Sequence, residues 1–245
     1  MIKYPDSYAV YDTETTGIDI KTAEIVELAA IVVSKGVVVN RKSWLIKPST
    51  PMTEENMQIH GIRNEDVEGK PSISEVLPEF CALVKGLPLV GHNISRYDNP
   101  LISRFLGSSP PDWIDTAALY KARIHGFVQR WHENHMLFAE RVLSMRLTGK
   151  YNLLLAYQTL GGKAGEFTAH RALGDCDMTL FVYNALTQEK LSTNPTTYSH
   201  MGTKEEPKKE TPEAVPFLQE MLSNSQEPEV ISPHNATSFR FNSLF

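Results

Sequence analysis

The first half of the chain alternates short apolar runs with polar breaks, and each run is too short for an ordinary helix. Tyr8–Tyr11, Ile25–Val33 and Val37–Ile46 read as strands rich in Val, Ile and aromatic residues. Ser34-Lys35-Gly36, between the last two, is short enough to close a hairpin. The period then changes. Val76, Leu77, Phe80, Leu83 and Val84 share a helical face and predict a helix over about Ser74–Lys85. Leu87–Val90 is a buried-strand run, Tyr97–Leu106 a helix and Trp113–Asp115 a short strand, with Asp115-Thr116 capping the helix that follows. Val128, Trp131, His135, Phe138, Val142 and Met145 predict an amphipathic helix around Phe127–Leu147. Two later helices are expected at about Asn152–Leu160 and Arg171–Glu189. Antiparallel strands followed by helix–strand alternation make an α/β fold with a mixed five-stranded sheet flanked by helices.

After about Leu191 the pattern fades. The chain becomes rich in Ser, Thr, Pro, Lys and Glu, as in Lys204-Glu205-Glu206-Pro207-Lys208-Lys209-Glu210. Such a stretch buries too little apolar surface to offset its ordering entropy. Residues 1–190 are therefore expected to form one domain, with extra helical sequence near 121–150, and 191–245 a flexible tail. A chain of 245 residues is long enough for that division. No run approaches the ~20 apolar residues of a membrane span, and Met1-Ile2-Lys3-Tyr4-Pro5-Asp6 lacks the apolar stretch of a signal peptide. Cys81 and Cys176 are the only cysteines, which argues against a disulfide framework and fits a reducing cytoplasm. A net charge of −5 excludes bulk electrostatic attraction to nucleic acid as the driving force. Bound cations or a local basic patch would have to supply it.

Asp12 and Glu14 follow the first apolar run directly. Two carboxylates at i and i+2 on an extended chain point to one face, repel one another, and push one toward the neutral acid. A divalent cation removes that conflict, so the pair reads as half of a metal site. Further candidates stand at Asp98, His170 and Asp175. Taken singly each is weak: Asp98 would pass as a helix N-terminal acid, and His170-x4-Asp175 as a helix-start histidine with a surface aspartate. Their joint occurrence on these elements is what carries the argument.

In this order the motifs resemble those of the DnaQ-like, or DEDDh, 3′–5′ exonucleases. Val10-Tyr11-Asp12-Thr13-Glu14-Thr15-Thr16-Gly17 resembles the first motif of that family, and Ile59-His60-Gly61-Ile62 the loop signature after it. Val90-Gly91-His92-Asn93 with Tyr97-Asp98 resembles the second, and Ala169-His170-Arg171-Ala172-Leu173-Gly174-Asp175 the third. The resemblance covers about Tyr8 to Glu189 and implies an RNase H-like exonuclease fold. Phosphodiester cleavage needs a nucleophile, charge stabilisation and help for the leaving oxygen, which two divalent ions about 4 Å apart supply together. Mg²⁺ or Mn²⁺ takes the hard oxygen ligands that Asp and Glu offer. The resemblance implies that Asp12 bridges both ions, Glu14 and Asp175 complete the first site, and Asp98 supports through water. His170 is then the general base, histidine being the side chain that titrates near neutral pH.

The resemblance also implies contacts to the terminal nucleotide. Thr15, Thr16 and Gly17 would offer backbone N–H groups, Ile18 would wedge against the base, and Glu55 and His60 match positions that touch the nucleotide and its phosphate. Cys176 is read as a small packed hydrophobe and Asp177 as solvated. Between Lys121 and Lys150 six Lys/Arg face two Glu. This basic island reads as a helix packed on the domain with a solvated face, a nucleic-acid contact being the rival. Finally, Phe241-Asn242-Ser243-Leu244-Phe245 resembles the peptides that dock on bacterial sliding clamps, without their leading Gln. The expectation is a metal-dependent 3′–5′ exonuclease acting on DNA 3′ ends in proofreading or repair, with a DNA polymerase and a sliding clamp as partners. The alternatives are an RNA 3′-trimming enzyme of the RNase T or oligoribonuclease kind, and a non-catalytic adaptor.

Overall fold

A computed structural model describes residues 4–187. Strands β1 (Tyr8–Thr15), β2 (Ile25–Ser34) and β3 (Val37–Leu45) form an antiparallel meander. Strands β4 (Leu89–Gly91) and β5 (Trp113–Asp115) join it in parallel, giving the order β3-β2-β1-β4-β5. The mixed five-stranded sheet agrees with the sequence expectation. β1 lies at its centre with antiparallel β2 on one side and parallel β4 on the other. Both faces of β1 and β2 are covered, which is why their sequences read as near-continuous apolar runs. β3 is an edge, and its Val37 and Val39 are exposed.

Between β3 and β4 run helices α1 (Glu54–His60), α2 (Asn64–Val67) and α3 (Ile73–Val84). Neither α1 nor α2 was expected from the sequence, because the stretch lacks a long apolar stripe. Local chemistry makes α1: Thr53 caps its first turn, and Gly61 at φ +70° stops it. α4 (Asp98–Leu106) and α5 (Thr116–His125) flank β5. α6 (His135–Ser144), α7 (Leu153–Thr159) and α8 (Ala172–Thr187) complete the described chain. α8 packs across β1 and β2 on one face, while Phe80 of α3 meets Tyr11 and Trp44 on the other.

Three expectations need correction. The fourth strand occupies Leu89–Gly91, since the Leu87 N–H turns back to the Val84 carbonyl at 3.1 Å and closes α3 instead. The amphipathic helix around Phe127–Leu147 shrinks to α6. Gly126 ends α5 in a left-handed turn, and Asn134 caps α6 through Leu137 N–H at 2.8 Å. Val128 and Trp131, the first two residues of the expected stripe, therefore lie in a loop and are exposed. Asp177 is half-buried and paired with Arg41 of β3, so it docks α8 on the sheet rather than facing solvent. Cys176 is fully buried, as expected of a small packed side chain. Two residues of the basic island, Lys121 and Arg141, are spent on packing, with Arg96 from outside it, while Arg123, Arg130, Arg146 and Lys150 are exposed. Arg141 pairs with buried Glu133, while Lys121 (2.6 Å to the Met145 carbonyl) and Arg96 (to that of Leu143) cap the end of α6. No helix among the described residues is long and apolar enough to cross a membrane. The tail expectations, Leu244 and Phe245 included, lie outside the described residues.

Candidate active site

Strand alternation puts Asp12 and Glu14 on one face of β1, and Tyr11 and Thr13 on the other. Across the β1–β2 ladder Asp12 faces Ala29, and Glu14 faces another carboxylate, Glu27. Like charges directly opposite are unfavourable, so this face is electrostatically loaded from the outset. A register shift between Glu14 and Thr15 ends regular pairing there and turns the chain into Thr15-Thr16-Gly17.

α8 brings the third carboxylate. Ala172, Cys176, Leu180 and Tyr183 seat the helix in the core. The small Cys176 lets it approach closely, its Sγ lying 3.6 Å from the Ala29 carbonyl oxygen of β2 and 3.9 Å from that of Val10 in β1. Asp175, the preceding residue, is thereby set beside β1. One oxygen from each of Asp12, Glu14 and Asp175 lies within 4.8 Å of the others. Removal from water raises all three carboxyls, and neighbouring carboxylates, Glu27 among them for each, add to it. Asp12 lies well above the ordinary range, with Asp98, Asp175, Glu14 and Glu27 adding to burial. Glu14 is pushed up to about 8 and Asp175 to about 6, the latter restrained by the His170 ring and backbone. Three hard oxygen donors under mutual repulsion are the donor set that a divalent cation fits, because the ion cancels the repulsion that burial amplifies.

Asp98 approaches from the opposite face. At the start of α4 it accepts a hydrogen bond of 2.5 Å from Thr13 Oγ1, and burial raises it to about 7. Its charge acts on Asp12, so it belongs to the same electrostatic cluster. His170 lies two residues before the start of α8, exposed and in the left-handed region at φ +59°. For a residue other than glycine this conformation costs of order 1–3 kcal/mol, so neighbouring structure must hold it. Gly174 supplies part of that hold. A Cβ there would stand 2.0 Å from the Thr168 carbonyl oxygen, so only glycine lets the loop before His170 fold over the first turn of α8.

The expected substrate residues differ in exposure and in bonding. Ile18 is 91% exposed, as a wedge would be, and Glu55 is exposed on α1. Thr15 Oγ1 bonds the Gly17 carbonyl at 2.8 Å and the Tyr97 hydroxyl at 2.6 Å, tying the loop to the start of α4. The Thr16 N–H, expected to face a nucleotide, donates instead to the Glu24 carbonyl at 2.9 Å, because the bulged β1 end still pairs with the residue before β2. His60 is buried, and its Nδ1 accepts from the Ile62 N–H at 3.1 Å. The ring proton therefore sits on Nε2, which is buried and has no hydrogen-bond partner. Burial lowers the His60 pKa, against the opposing influence of Glu27.

Asp115 caps α5 as expected and does more than the sequence reading gave it, while Glu27 escaped that reading. Asp115 accepts from the N–H groups of Asn93 (2.9 Å), Ser95 (3.2 Å) and Ala117 (3.0 Å), joining the loop after β4 to the start of α5. Glu27 binds Arg171 through Nε at 3.0 Å and Nη2 at 3.2 Å. A lone Glu inside the apolar run Ile25-Val26-Glu27-Leu28-Ala29 was the signal available for it.

The comparisons with known proteins agree with this architecture. The RNase_T family model, described as an exonuclease, matches residues 9–183. The "DNA polymerase III PolC-type" of Thermotoga petrophila is 34% identical over 184 residues, covering 72% of this chain but only 12% of that much longer protein. "Uncharacterized exonuclease CP81" of Escherichia phage 186 is 34% identical over 187 residues, covering 74% of this chain and 88% of its own length. Among solved structures, "Exonuclease X in complex with 5' overhanging duplex DNA" superposes with a TM-score of 0.50 at 28% identity, covering 72% of this chain and 88% of that one. With the acidic cluster in place on a mixed sheet of RNase H-like fold, the chain belongs to the family of DnaQ-like exonucleases.

Proposed function

We propose that this protein is a metal-dependent 3′–5′ exonuclease that releases nucleoside 5′-monophosphates from DNA 3′ ends. The observation that carries the reading is the convergence of Asp12, Glu14 and Asp175 within 4.8 Å, with Asp98 raised to about 7 behind them. Asp12, Glu14 and Asp175 would hold two divalent ions, Mg²⁺ or Mn²⁺, whose Lewis acidity neutralises the phosphate and assists the leaving oxygen. Asp98 adds a buried negative charge to the cluster. His170 accepts the proton of the attacking water. His60, buried beside the Thr15 backbone, offers its Nε2–H to an oxygen of the terminal nucleotide. Ile18 packs against the terminal base, Thr15 and Gly17 shape the loop beneath it, and Glu55 borders the sugar. DNA is the favoured polymer because relatives include polymerase III proteins and the Exonuclease X structure contains duplex DNA.

Matched 5′-labelled DNA and RNA oligonucleotides, incubated with and without Mg²⁺, test this directly. The expected result is a ladder shortened from the 3′ end on DNA, present only with the metal. A ladder on RNA alone would reassign the substrate, and binding without cleavage under any metal would replace the enzyme by an adaptor.

A polymerase and a sliding clamp are the proposed partners, the latter through Leu244 and Phe245. Two apolar anchors can carry most of the affinity of a short linear peptide. Deleting Leu244 and Phe245 should leave hydrolysis of short oligonucleotides unchanged and abolish pull-down of the host clamp. Absence of wild-type clamp binding at micromolar concentration would end this part of the reading.

A further inference from the structure

Glu27 shares a sheet face with Asp12 and Glu14, yet it is not available to a cation. Its oxygens accept from Arg171 Nε at 3.0 Å, Arg171 Nη2 at 3.2 Å, the Ala172 N–H at 3.1 Å and Ser43 Oγ at 2.6 Å. An ionised carboxylate offers about four acceptor positions, so this one is filled. Three of these four donors belong to the two residues that directly follow His170. The fork of Arg171 makes the attachment bidentate, fixing orientation as well as distance.

This attachment matters because His170 is exposed and cannot be held by its own burial. Its left-handed backbone is instead gripped on both sides. Before it, the Thr168 carbonyl rests over Gly174; after it, Arg171 and Ala172 are tied to β2 through Glu27. The body of α8 is secured separately, by Cys176 and Leu180 in the core and by the Asp177–Arg41 pair. Loss of Glu27 therefore frees the His170 turn while leaving Asp175 with its helix.

We infer that the Glu27–Arg171 ion pair is the positioning device of the site, holding the His170 turn in register with Asp12, Glu14 and Asp175. The inference rests on the exonuclease reading with His170 as base. Both also bear on the charge of the cluster, Glu27 adding to it at Asp12 and Glu14 and Arg171 offsetting it at Glu14. That effect is the same with or without His170, whereas the positioning acts through the backbone of one turn.

The test is a double-mutant cycle with a structural readout beside it. Glu27→Gln keeps the size of the side chain and removes its charge, and should lower kcat by about tenfold to a hundredfold while KM stays within about threefold. In the His170→Ala background the same change should cost less than about threefold, since the group being positioned is gone. Arg171→Lys, which keeps the charge without the fork, should give a weaker effect of the same pattern and serves if Glu27→Gln folds poorly. Hydrogen exchange on the full chain should show faster exchange in residues 168–172 of both variants and unchanged protection in β1. Equal losses in the two backgrounds, or unchanged exchange in residues 168–172, would overturn the inference. If the wild type proves inactive on every oligonucleotide, the exonuclease reading fails, and exchange alone still decides whether the Glu27–Arg171 pair holds the turn.

Discussion

Asp12→Asn is expected to lower exonuclease activity by at least about 10³-fold while making the metal-free protein more stable at pH 8. The two effects have one cause. Asp12 is the most crowded carboxylate of the cluster, raised by burial and then by Asp98, Asp175, Glu14 and Glu27. In the folded protein Glu14 is shifted up to about 8, Asp98 to about 7 and Asp175 to about 6. An unfolded chain releases the same protons near pH 4. Between about pH 4 and pH 8 the folded state thus holds more protons than the unfolded one, and metal-free stability must fall as pH rises through that window. The neutral amide of Asn removes one charge from the cluster, so the melting temperature of the metal-free variant should exceed that of the wild type at pH 8. At pH 5, closer to protonation of the raised Asp12 carboxyl, the difference should shrink. For a domain of this size each kcal/mol corresponds to roughly 2–4 °C. Added Mg²⁺ should stabilise the wild type and not the variant. Scanning calorimetry at the two pH values, with and without Mg²⁺, reads all of this apart from activity. Activity retained within about tenfold would rule out the metal-cluster mechanism.

His170→Ala is expected to lose about 10²–10⁴-fold in kcat with the fold intact, the usual range for removing a general base. Because the His170 ring is exposed and sits in a turn outside the helix, its deletion opens no cavity, and the melting temperature should be nearly unchanged. Imidazole is the side chain that changes protonation between about pH 5 and pH 8, with the neutral form acting as base. The wild-type rate should accordingly rise with pH across that interval, and the variant should lose the rise. Measuring kcat at saturating Mg²⁺ keeps the carboxylates deprotonated across the comparison. A variant that keeps both rate and pH profile would remove His170 from the mechanism.

Much of this was legible in the sequence because it depends on local periodicity. A strand has period 2, so Asp12 and Glu14 had to share a face, and the near-continuous apolar runs Tyr8–Tyr11 and Ile25–Val33 read as strands covered on both faces. Asn134 and Asn152 cap helices by chemistry that is local too, although the apolar stripe from Val128 to Met145 misplaced the start of the first. That error has a physical source. Steps of three and four record only that a helix is allowed, whereas Gly126 and the buried Glu133–Arg141 pair decide where the chain turns.

What only the tertiary structure decided is how residues far apart in the chain share electrostatics. Strand alternation placed Asp12 beside Glu14, but no pattern within the chain required Asp98 to reach the cluster from the opposite face through Thr13. Nor could spacing show that the Thr16 N–H is spent on Glu24, or that His60 would be left with an unpartnered Nε2. Glu27 makes the point most sharply. Its sequence showed one charge in an apolar strand, but its partner lies 144 positions away, and only the packing of α8 across β1 and β2 brings Arg171 to it. Identity and period are local properties of a chain. Compensation of a buried charge is a property of the assembled core, because the donor that satisfies it can come from any element that folding brings near.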